Sequence, residues 1–113
     1  MKDDRAYLLH IRDAVHQVLS YTKDGRDSFL SSRQIQDATI RNLEIIGEAV
    51  KRLSPRLQSR HPEIPWKRIA GMRDKMIHDY LGVDSRLVWD VVERSLPPLL
   101  RTVEEILATD FGR

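Results

Sequence analysis

Apolar side chains recur along this chain at intervals of three and four residues, the spacing that collects them in one arc of an α-helix. In residues 4–22, Tyr7, Leu8, Ile11, Ala14, Val15, Val18 and Leu19 share a face, and Asp3 or Asp4 is placed to cap the start. Asp24-Gly25 supplies the stop, because glycine tolerates the left-handed conformation that ends helices. A short turn around Asp27 to Ser31 leads into a second long segment, about 32–53, with Ile35, Ala38, Leu43, Ile46, Ala49, Val50 and Leu53 in register. Ser54-Pro55 closes it. Residues 55–65 hold three of the five prolines and read as a connector with one helical turn. A third helix starts near Pro65 and Trp66, proline being favoured in a first turn, and runs to about Leu81 before Gly82. Asp84 or Ser85 caps the last segment, 85–109, where Val88, Val91, Val92, Leu96, Leu99, Val103, Ile106 and Leu107 keep one phase across Pro97-Pro98. That continuity predicts a single helix kinked at the two prolines. No period-two run, hairpin signal or internal repeat appears. The expectation is an all-α fold, one domain over residues 1–113, built as a bundle of four main helices plus a short connector turn.

Composition narrows the class. A length of 113 residues with 41% apolar content fills one core, and the lack of cysteine removes disulfides, thiolate nucleophiles and zinc ribbons. The N-terminal run MKDDRAYLLHIRD carries acids and no apolar stretch of signal-peptide length, and nothing approaches the uncharged run that a membrane span needs. A cytoplasmic protein with no membrane partner is expected. Net charge is only +2, but residues 51–75 hold eight basic side chains (Lys51, Arg52, Arg56, Arg60, Lys67, Arg68, Arg73, Lys75) against Glu63 and Asp74, a local +6 that leaves −4 elsewhere. Such a bias attracts a polyanion; it also describes an ordinary solvated helix face.

Two residues stand in the wrong place. The third helix draws its apolar arc from Trp66, Ile69, Ala70, Met76, Ile77, Tyr80 and Leu81, and Arg73 falls near the middle of it. A guanidinium keeps its charge at any accessible pH, so it has to meet a polar cleft, an acid or a subunit interface. Asn42 is the second misfit, mid-arc in helix two, and the pair points to a shared polar pocket. On the polar side of the third helix, Asp74 and His78 are four residues apart and therefore neighbours, an arrangement that orients an imidazole for acid or base work. Ideal projection separates His78 from Arg73 by about 140°, so one straight helix does not readily aim both at one atom. A two-fold axis beside this helix would bring two Arg73/His78 sets together, which makes a homodimer the economical solution. His10, His16 and His61 share no ligand spacing with His78, so no metal is expected and no cofactor is implied. Trp66 and Trp89 lie on apolar arcs and read as packing residues.

The run RDKMIHDY, residues 73–80, fits the R-x4-H-x-Y motif of HepT-like toxins in the HEPN superfamily. The resemblance extends through NLEIIGEAVKRLS (42–54), IPWKRIAGMRDKMIHDYLGVD (64–84) and VWDVVERSLPPLL (88–100), most of the chain after residue 30. It implies a HEPN-like helical dimer acting as a metal-independent ribonuclease, usually encoded beside MntA, a minimal nucleotidyltransferase antitoxin that transfers AMP to the motif tyrosine. Carried over by position, Arg73 and His78 become the catalytic pair, Tyr80 the AMPylation target, and Asp74 the polar residue following the arginine, with Asn42 as site support. Lys67, Arg68 and Lys75, in the basic segment, would hold the RNA backbone. A noncatalytic HEPN accessory subunit that binds a nucleotidyltransferase, and a plain helical dimerisation module, are the alternatives.

Overall fold

The computed structural model describes residues 3–78 and 84–111, with side chains described for 3–72 and 84–111. Helix α1 runs Asp4–Tyr21, α2 Arg26–Ser31, α3 Arg33–Arg52, α4 Pro55–Ser59 and α5 Trp66–His78. Helix α6, Ser85–Asp90, passes through a π-helical turn at Val91–Ser95 into α7, Leu96–Asp110. Every element among the described residues is helical, and the four long rods follow the predicted spans as far as they are described; the expected end of the third at Leu81 and Gly82 lies outside the described residues. None of the described helices is long and apolar enough to cross a membrane.

The predicted arcs are the buried ones. Leu8, Ile11, Ala14, Val15 and Val18 of α1 meet Leu43, Ile46, Ala49 and Val50 of α3, while Leu96, Leu99, Val103 and Ile106 of α7 close the core. Helix α3 is central: α1 packs along it on one side and α5 on another, and α7 lies against α1.

Local chemistry sets the helix ends. Ser32 Oγ accepts from Ile35 N (3.1 Å) at the start of α3, Ser54 Oγ accepts from Leu57 N (3.2 Å) at α4, and Asp84 accepts from Arg86 N (2.9 Å) at α6. These side chains satisfy amide donors that have no partner within the first turn. Proline at 97 removes a further donor, and Leu96 N–H reaches back five residues to Val91 O, so the expected kink takes the form of a π turn at the head of α7.

Three local expectations need correction. The stretch Asp27 to Ser31 is a short helix, not a turn; it buries Phe29 completely, with the Trp89 ring 5.4 Å away, centroid to centroid. Gly25 does have a positive φ of 96°, but it sits before α2, whereas α1 ends at Thr22, whose N–H and hydroxyl both bond Val18 O. Neither Asp3 nor Asp4 caps α1 with its side chain. Asp4 turns across the molecule instead, accepting from Ser54 N (2.9 Å) and Ser54 Oγ (2.7 Å), and so ties the first helix to the α3–α4 junction.

Asp4 is only 7% exposed. Burial alone would push its carboxyl up, but the two Ser54 hydrogen bonds, together with the positive charge of the N-terminal amine, hold it below the ordinary value. The bonds therefore contribute stability above the unfolded-state pKa of about 3.9, and that contribution fades as pH falls through the lower folded-state value. Asp4→Ala is expected to lower unfolding free energy by about 1–3 kcal/mol at pH 7. In urea titrations from pH 7 down to pH 2.5 the deficit should shrink at the acid end; a constant deficit would contradict this role.

Candidate functional site

Helix α5 is two-sided. Trp66 (5% exposed) and Ile69 (6%) enter the core, with Ala70 and Met72 packed partly against it, whereas Lys67, Arg68 and Gly71 face solvent. The helix begins where the prolines of the connector end: Ile69 N donates to Pro65 O (3.1 Å), and Trp66 Nε1 donates to His61 O (2.9 Å), pinning the buried indole to the connector. Sequence periodicity foresaw Trp66, Ile69 and Ala70 in the buried arc and missed Met72.

The helical backbone continues to His78, so Arg73, Asp74, Lys75 and His78 all stand on one rod, with about 7.5 Å of axial rise between Arg73 and His78. The side chains of these four residues lie outside the described ones, as does all of Tyr80.

Asn42 is buried at 7% exposure on α3, the helix that packs against α5. Its Nδ2 donates to Ala38 O (3.0 Å), one turn back. Three residues earlier Thr39 is fully buried and its Oγ1 has no hydrogen-bond partner among the described residues. A buried threonine ordinarily bonds a carbonyl one turn back, as Thr22 does to Val18 O (2.8 Å). An unpaired buried hydroxyl costs about 1–3 kcal/mol, so α3 carries polar groups here that its own packing does not require. Sequence reading singled out Asn42 but passed over Thr39; the signal was a hydroxyl one turn before Asn42 on the same apolar arc.

The basic segment is less uniformly free than its formal charge implies. Arg52 pairs with Glu48 (2.9 Å) and Arg60 with Asp110 (3.0 Å), acids that lie outside the segment. Lys51, Arg56, Lys67 and Arg68 are exposed and make no ion pair among the described residues. Between α4 and the start of α5 the surface dips into an open, mainly apolar depression of about 460 Å³, lined by Pro55, Gln58, Ser59, Pro65, Trp66, Lys67 and Arg68. The remaining histidines have other neighbours: His16 Nε2 is 3.4 Å from Glu104 on α7, His61 Nδ1 is 3.7 Å from Glu63, and His10 meets the edge of Tyr7.

Gly71 lies mid-helix, where glycine costs about 1 kcal/mol relative to alanine. A Cβ built there would meet nothing within 4 Å, so no packing contact of this chain among the described residues calls for glycine.

Residues 11–106 match the family model described as Ribonuclease HepT-like. The chain is 40% identical over 106 residues to "Probable ribonuclease HepT" of Thermococcus cleftensis, covering 93% of this chain and 96% of that protein. It is 42% identical over 108 residues to "Putative RNase TTE0752" of Caldanaerobacter subterraneus subsp. tengcongensis, covering 95% and 96%. No solved structure matches the chain significantly. With a helical bundle of the expected architecture and a family match over most of its length, the chain belongs to the HepT-like ribonuclease family of the HEPN superfamily.

Proposed function

We propose that this protein is a metal-independent endoribonuclease toxin that cleaves RNA by attack of the substrate's own 2′-hydroxyl. One observation carries the reading: R-x4-H-x-Y spans residues 73–80, and its arginine and histidine stand on one helix of a HepT-like ribonuclease fold.

The reaction needs a base to take the 2′-hydroxyl proton, an acid to protonate the departing 5′-oxygen, and a cation beside the phosphorane. His78 supplies proton transfer, and in a homodimer its two copies serve as base and acid. Arg73 pairs with the phosphate through its planar fork. The new bond joins the 2′-oxygen to phosphorus as the bond to the 5′-oxygen breaks, leaving a 2′,3′-cyclic phosphate and a 5′-hydroxyl. Asp74, one turn before His78, orients the imidazole, and Asn42 supports the site from α3. Lys67, Arg68 and Lys75 hold the RNA backbone.

An MntA-like nucleotidyltransferase is the proposed antitoxin, and Tyr80 the residue it modifies. The hydroxyl of Tyr80 would attack the α-phosphate of ATP and release pyrophosphate, leaving AMP on the ring. By sequence spacing Tyr80 stands seven positions after Arg73 and two after His78. The attached phosphate would then occupy the positive charge that RNA requires.

Purified protein in excess EDTA is expected to cleave RNA to products with cyclic-phosphate ends, and His78→Ala or Arg73→Ala should each lower the rate by about 10²–10⁴-fold. Undiminished cleavage by either variant would remove that residue from the chemistry, and loss of wild-type cleavage in EDTA would overturn metal independence. Tyr80→Phe should retain nuclease activity yet resist silencing when incubated with the partner and ATP; persistent AMP transfer and silencing would refute the modification site. Replacing Lys67 and Arg68 together by Gln should weaken RNA binding and reduce the slope of log K against log salt by about 1.4, following the single-strand value of about 0.7 per phosphate contact. An unchanged slope would place the backbone contacts elsewhere.

A further inference from the structure

We infer that the open side of α5, from the depression at the α4–α5 junction across Gly71 toward His78, is a track for single-stranded RNA, with an unpaired nucleobase seated in the depression. The inference rests on the ribonuclease reading and deepens it.

Lys67, Gly71, Asp74 and His78 recur at intervals of four, three and four residues, which places their positions in one stripe of the helix. The stripe begins at the depression, because Lys67 is part of its lining. Gly71 is the next position along, one turn on. An exposed glycine mid-helix, with open space where its Cβ would be, destabilises the helix without relieving any contact among the described residues. Its absent side chain makes sense if something from outside approaches the helix backbone closely there.

Charge selects the visitor. Lys67 and Arg68 flank this approach, are exposed, and have no acidic partner among the described residues. The proposed dimer brings a second copy to the His78 end of this helix, which leaves Lys67 and Arg68, about three turns away, open to a phosphodiester chain that would neutralise them. The depression suits the base attached to such a phosphate. Its lining includes the apolar rings of Pro55, Pro65 and Trp66, against which a nucleobase packs irrespective of its identity. Gln58 also lines it, its amide held in place by Nε2 donating to Val50 O and Leu53 O, both at 3.2 Å.

A double-stranded substrate does not offer an unpaired base, so the track also predicts preference for single strands. The test uses the full-length protein and fluorescein-labelled 12-mer RNA, 2′-O-methylated so that it is not consumed, with affinity read by anisotropy. Gly71→Ala is expected to raise the melting temperature by several degrees, since the added methyl meets nothing and helps the helix, while weakening RNA binding about tenfold. Ser59→Phe, which fills the depression from its rim, should weaken binding at least fivefold. Arg101→Ala, an exposed cation on α7, serves as the control and should bind as wild type. Wild-type affinity in both Gly71→Ala and Ser59→Phe would overturn the track while leaving ribonuclease activity standing. Loss of dimers in Gly71→Ala with RNA affinity retained would assign the stripe to a second copy. A wild-type protein that neither binds nor cuts RNA would overturn the ribonuclease reading together with the track.

Discussion

Everything distinctive about this molecule depends on α5 burying only one of its sides. Trp66 and Ile69 enter the core against α3, and helical geometry then forces Lys67, Arg68 and Gly71 into solvent. A helix buried all round would offer no surface for a polyanion, and one exposed all round would not hold its position. The motif positions Arg73 and His78 follow on the same rod, so the packing of its first two turns sets the line along which they stand. The indole of Trp66, tied to His61 O and seated in the core, fixes where that line begins.

The rest of the bundle holds α5 in register. Helix α3 is the shared wall, packing α1 and α5 on different sides, and its C-terminal carbonyls at Val50 and Leu53 are capped by the Gln58 side chain from α4. Asp4 reaches Ser54 across 50 positions of sequence, joining the first helix to the same junction. The ledge from which α5 departs is thus braced by side-chain hydrogen bonds from two directions. On the far side, the π turn absorbs the donor lost at Pro97 and lets α7 continue along α1 without breaking the apolar phase.

Much of this was legible in the residues. The long helices announce themselves because each must collect enough apolar side chains to be buried, and the arcs of α1, α3 and α7 match the observed core closely. Helix α2 was not legible: six residues with one buried side chain, Phe29, hold no period, and its stability comes from tertiary contact with Trp89. Asp4 looked like a cap because local rules favour acids at helix starts, yet a buried carboxylate takes the donors that tertiary structure brings to it. The charge count of the basic segment overstated its free charge for the same reason, since Arg60 and Asp110 are far apart in sequence and adjacent in space. At the site, spacing marked Arg73, His78 and Asn42. Thr39, on the same apolar arc as Asn42, was not marked as a misfit because a helical threonine can bond a carbonyl one turn back, and the depression exists only where one helix meets another.

The central claim is that the solvent side of α5 carries the RNA. Backbone amide chemical-shift mapping of the isotope-labelled protein, titrated with uncleavable single-stranded RNA, tests it most directly. Perturbations should concentrate on residues 56–59 and 66–78, with little change on the outer side of α1 and along α7. Shifts confined to α1 and α7, with α5 silent, would contradict it.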